Sequence, residues 1–118
     1  MAFLLIIIEP RGQRVDRTPE EGRELFGRMV AFGDGLRSQG ILLATESLRA
    51  DDHAIRVSQV GGKAQLRDGP FAEAKEMVGG FYLLDVATRE EAVAIAGRCP
   101  AVEWATVEVR ECAPCYVN

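Results

Sequence analysis

Phe3-Leu-Leu-Ile-Ile-Ile8 is the stretch on which the fold turns. Its apolar residues follow one another without alternation, and half of them are β-branched, so the strand they form needs cover on both faces. A bilayer span takes about 20 residues and a signal peptide a basic start and a cleavage site. Glu9 and Pro10 end this run long before that length, and neither signal-peptide feature is present. The expectation is a buried central strand in a cytoplasmic protein. Three cysteines, an odd number without framework spacing, agree with a reducing compartment.

Beyond Pro10 the polar residues to Arg17 read as a loop, and Thr18-Pro-Glu-Glu21 as a helix start. Thr18 caps, Pro19 takes the first position where its missing N–H costs nothing, and Glu21 completes a capping box. Leu25, Met29, Phe32 and Leu36 then form one apolar stripe, Gly33 and Gly35 weaken the helix, and Gly40 ends it. Ile41 to Leu48 reads as a strand. The turn Arg49 to His53 leads into a hairpin, Ala54 to Arg67, folded at Gly61-Gly62 and read as an insertion or extension at one sheet edge. Met77 to Val86 is a long strand in which Gly79-Gly80 marks a bulge or a close backbone approach. Thr88-Arg-Glu-Glu91 repeats the capping grammar and opens a helix that Pro100 stops, and Trp104 to Arg110 is the last strand.

With the hairpin set aside, the order is βαββαβ. That order gives a four-stranded antiparallel sheet with both helices on one face, the ferredoxin-like α+β plan, in a single domain over residues 1–118. Two helices cover only one face. Yet Leu4, Ile6 and Ile8 oppose Phe3, Leu5 and Ile7 on the first strand, and Phe81 and Leu83 oppose Tyr82 and Leu84 on the long one. Leaving such residues in water forfeits roughly 1.5–3 kcal/mol each. The expectation is therefore a C2 homodimer, sheet against sheet, forming an α+β barrel. A monomer shielded by its hairpin and tail is the alternative, but both segments are short and polar.

A net charge of −4 and 14 scattered Lys and Arg residues leave no basic footprint for nucleic acid or for an anionic membrane surface. No phosphate-binding glycine loop, nucleophile elbow or metal-binding helix motif occurs, so no cofactor and no metal are expected. Cys112-Ala-Pro-Cys115 has redox spacing but lies in the C-terminal tail, away from the helix start such a site uses. His53, the one histidine, stands beside Asp51 and Asp52 in a polar turn that explains it equally well without catalysis.

The most distinctive stretch is Asp68-Gly-Pro-Phe-Ala-Glu-Ala-Lys-Glu76. Gly69 allows an unusual backbone, Pro70 restricts the next step, Asp68 accepts from the following N–H groups, and Phe71 plugs the loop into the core. Glu73, Lys75 and Glu76 place two carboxylates and an amine nearby. Together with Gly79-Gly-Phe-Tyr-Leu-Leu-Asp85 and Val107-Glu-Val109, this stretch resembles the DGPF-domain proteins of the YCII-related family. The resemblance covers nearly the whole chain and implies a dimeric α+β barrel with a small-molecule cleft at the dimer interface, near the Asp68 loop. Enzymatic relatives in the wider group look like lyases or dehydrochlorinases that use a His and Asp pair. Asp68 matches the aspartate, but the first helix holds no histidine, and Ala74 stands where many members carry a hydroxyl. The resemblance also implies a functional link to an extracytoplasmic-function sigma factor.

Two functions follow. In one, the chain is a non-catalytic ligand-binding or regulatory module, the reading slightly favoured by the missing histidine. In the other it is a cofactor-independent lyase or isomerase with Asp68 as general base and Lys75 steadying negative charge. Asp68 is equally readable as a structural loop cap. Glu46, Phe71, Glu73, Lys75, Glu76 and Tyr82 are the candidate ligand contacts.

Overall fold

The computed structural model describes residues 2–118. Its strands are β1 (Ala2–Pro10), β2 (Leu42–Ser47), β3 (Ile55–Val60), β4 (Lys63–Asp68), β5 (Glu76–Asp85) and β6 (Thr106–Glu111). The helices are α1 (Pro19–Ser38) and α2 (Arg89–Arg98). Four strands pair antiparallel in the order β2-β5-β1-β6, the ferredoxin-like topology, with both central strands drawn from the two apolar runs.

Strand parity sorts the side chains. Phe3, Leu5 and Ile7 of β1 and Tyr82 and Leu84 of β5 are buried on the helix side, packed with Leu36, Ala92, Ile95 and Cys99. Leu4, Ile6, Ile8, Phe81 and Leu83 lie part-buried on the opposite face, where among the described residues neither helix covers them and Ile8 borders the hairpin foot. The extents, 47 × 43 × 20 Å, are those of a slab one helix layer and one sheet layer thick.

Thr18 caps α1 through a complete capping box, its hydroxyl accepting from the Glu21 N–H and Glu21 accepting from the Thr18 N–H, both at 3.1 Å. α2 keeps the Thr88 half of the same device. Gly33 is more than a weak point in α1, because a side chain there would stand 3.3 Å from the Tyr82 ring. Its absence lets helix and sheet approach.

Two elements are defined more closely by the structure than by the sequence. Of the insertion or extension expected, the hairpin β3–β4 is an insertion, a two-stranded sheet of its own with both strands exposed throughout. The turn at Asp51–His53 and the Gly69-Pro70 bend swing it off the sheet, which raises the radius of gyration to 16.1 Å, against about 13.5 Å for a compact chain of this length. The last strand starts at Thr106, not Trp104, because Pro100 opens a 3₁₀ turn whose final N–H groups, those of Trp104 and Ala105, bond to Ala101. Among the described residues no helix is long and apolar enough to cross a membrane.

Candidate functional site

Tyr82 holds α1 to one part of the sheet. Its hydroxyl donates to the Met29 carbonyl at 2.7 Å, and the Phe32 ring meets it edge-on, with centroids 5.3 Å apart. Beside this contact lies a cavity of about 790 Å³ between helix and sheet, bordered by α1 from Pro19 to Arg37. That is room for a small organic molecule. Leu25, Phe26, Met29 and Val30 supply its apolar wall, Thr45 and Tyr82 its sheet side, and Trp104 one end.

A carboxylate sits in the floor. The parity that buries Phe3, Leu5 and Ile7 also turns Glu9 inward, and it is 4% exposed. Arg14, from the loop before α1, forms an ion pair with Glu9 Oε1 and also donates to the carbonyls of Leu48, at 2.7 Å, and Gly79, at 3.4 Å. One guanidinium thereby ties β1 to the end of β2 and to β5 at Gly79, and Glu9 borders the cavity.

Gly79 makes this possible. The β1–β5 register passes from Ile7↔Gly80 to Ile8↔Val78, so Gly79 is the extra residue of a bulge. A side chain there would overlap the Glu9 carboxylate and crowd Arg14. Trp104 is braced by Gln13, which donates to its carbonyl at 2.7 Å, and by the guanidinium groups of Arg17 and Arg28, 5.9 and 5.5 Å from the ring centre.

Burial pushes the Tyr82 phenol well above its ordinary value, so the donor to Met29 stays protonated through the neutral range. A phenol raised on folding makes stability fall as pH climbs past the unfolded value near 10. Tyr82→Phe should flatten that alkaline loss while costing about 1 kcal/mol at neutral pH for the missing hydrogen bond. Urea melts at pH 7 and pH 10.5 check both halves.

The sequence-derived candidates divide between two places. Tyr82 lines the cavity. Glu46 borders it through β2, but Thr45 packs against Gly33, so the pleat turns the Glu46 carboxylate to the open sheet face beside Phe81. Asp68 is exposed at the end of β4, away from the cavity lining. Phe71 is buried under the hairpin, with the guanidinium of Arg56 3.6 Å from its ring centre and that of Arg67 at 5.3 Å.

Glu73 pairs with Arg67 at 2.6 Å and faces Arg56 at 3.8 Å; a hydrogen bond from its own backbone N–H, and then Arg67, hold its carboxyl below the usual range. The Lys75 carbonyl accepts from the Arg11 N–H at 3.0 Å, while its side chain lies in solvent. Glu76 borders a second cleft of about 610 Å³ at the hairpin foot, with Ile8, Val78, Arg56 and Phe71. His53 meets Arg49 at 3.1 Å in an exposed turn. Cys112 and Cys115 are exposed free thiols, and no group of metal-ligating side chains assembles among the described residues.

Glu9, Arg14 and Trp104 were not among the candidates. Parity was the available signal for Glu9, since it continues the buried positions of β1 without interruption.

A family model for the YCII-related domain matches residues 1–115. No curated protein matches the chain. Among solved structures the chain is similar to the 5-chloro-2-hydroxyhydroquinone dehydrochlorinase TftG of Burkholderia phenoliruptrix AC1100, in complex with 2,5-dihydroxybenzoquinone. That likeness has a TM-score of 0.55 at 13% identity and covers 96% of this chain and 94% of TftG.

Proposed function

The chain belongs to the YCII-related domain family, and from that premise we propose that it is a homodimeric small-molecule-binding protein whose ligand lies between α1 and the sheet. The observation that carries the reading is the Glu9–Arg14 pair in the floor of a cavity walled by Leu25, Phe26, Met29 and Val30. A buried carboxylate is costly unless it is paired, and here the pair is set where a ligand would meet it. The uncovered sheet face supports the homodimer. In this reading the ligand acts as a signal, in keeping with the expected link to an extracytoplasmic-function sigma factor.

Trp104 is the sole tryptophan and stands in the cavity wall, so binding should change its emission directly. A screen of ring-containing metabolites bearing hydroxyl or amino groups should give saturable quenching. Glu9→Gln should weaken the best hit at least about tenfold, the value of one charge-assisted hydrogen bond. Saturable binding that Glu9→Gln leaves untouched would contradict the assignment.

The likeness to TftG favours a second reading, a cofactor-independent lyase of the dehydrochlorinase type with Asp68 as general base. Hydroxylated quinones, the class bound by TftG, are the probes for it. Turnover lost in Asp68→Asn would establish this reading; turnover lost only in Glu9→Gln would move the base into the cavity. Binding without turnover leaves the module.

A further inference from the structure

The hairpin has two unlike faces. Register pairs Val57 with Leu66 and Ile55 with Asp68 on one side, and Arg56 with Arg67 and Val60 with Lys63 on the other. The basic side is anchored to its own chain, because Arg56 and Arg67 cover Phe71 and both reach Glu73. The apolar side is thereby turned away from its own body. Ile55, Val57 and Leu66 on it are 60%, 66% and 70% exposed.

We propose that this apolar side is a clasp that closes on a second copy of the chain, an inference that rests on the homodimer reading and extends it. Continuity is the first support. The cleft at the hairpin foot joins Ile8 and Val78 of the open sheet face to Ala54, Arg56 and Phe71 at the hairpin base, so the arm rises directly from the border of that face. A partner seated on the sheet therefore comes up against the arm. Area is the second support. At 4.8 Å between strands and 3.3 Å per residue, the open sheet face has a footprint of roughly 500 Å², below the usual 800 Å² that each partner gives a standard interface. The hairpin adds roughly 200 Å² by the same measure, and accessible area exceeds flat footprint. Symmetry then gives each protomer one arm to place and one arm to receive.

The test is sedimentation of the full chain and three variants over a concentration series. Leu66→Glu introduces a charge at a site largely exposed in one protomer, so folding is retained and circular dichroism checks it. It should raise the dimer Kd at least about a hundredfold, since two symmetry-related sites are struck at once. The milder Val57→Thr, near in shape, should raise it roughly tenfold by the same reasoning. Lys63→Glu, on the basic side, should leave Kd within about threefold, the range of an exposed charge change. Native Kd in folded Leu66→Glu and Val57→Thr would overturn the clasp while leaving the sheet-to-sheet dimer standing. A native chain that sediments at 12.9 kDa throughout would overturn both.

Discussion

Arg14→Ala should cost about 3 kcal/mol and lower Tm by roughly 10–15 °C. The variant leaves the Glu9 carboxylate in a site 4% exposed with no counter-charge, and frees the carbonyls of Leu48 and Gly79. Breaking one side of a buried pair costs more than the pair is worth, because the remaining charge stays desolvated. The double variant Arg14→Ala, Glu9→Gln should therefore recover part of the loss, a coupling that only contacting residues give. Urea unfolding of the native chain, both single variants and the double measures it. Additive losses, or an Arg14→Ala variant within 0.5 kcal/mol of native, would mean that this pair does not hold the cavity floor. Ligand binding should disappear in Arg14→Ala even below its melting range.

Gly69→Ala should cost about 2–3 kcal/mol, the upper part of the range for overpacking. A methyl group at this position would overlap the Asp51 carbonyl, which is backbone and cannot swing aside. The same spot is fixed from two other directions, by the Gly69 N–H bond to the Ala54 carbonyl at 2.8 Å and by the Arg11–Asp51 ion pair. The loss should be concentrated in the hairpin, with faster hydrogen exchange across residues 55–68 and little change in β1. Asp68→Asn, one residue away but exposed, should stay within about 0.5 kcal/mol in stability. If Gly69→Ala matches the native chain in both measurements, the Asp68–Phe71 loop is not the lock of the hairpin foot.

What was legible in the sequence was local or periodic. Thr18 and Glu21 lie within one turn, so the capping box could be read directly, and the β1 run announced a central strand before any partner was known. Gly79 was recognisable as a bulge or close approach; which group approaches it was not, because Glu9 lies 70 residues earlier and Arg14 in a loop. Glu9 itself looked like the polar end of a strand beside Pro10. Its burial follows from parity together with a helix overhead, and the helix placement is a tertiary fact. The hairpin strands were recognised, but their departure from the sheet depends on a carbonyl at Asp51 meeting a glycine at 69, which no local pattern encodes. The distinctive loop drew attention to Asp68, whereas the structure joins its neighbours Phe71 and Glu73 to Arg56 and Arg67, leaving the carboxylates of Glu9 and Asp68 in separate places.

A crystal structure with the best-binding compound of the Trp104 screen tests the central claim most directly. The compound should lie between α1 and the sheet, with a donor atom about 2.6–3.2 Å from the Glu9 carboxylate. A compound seated at the hairpin foot beside Asp68, with the cavity under α1 empty of it, would contradict the account.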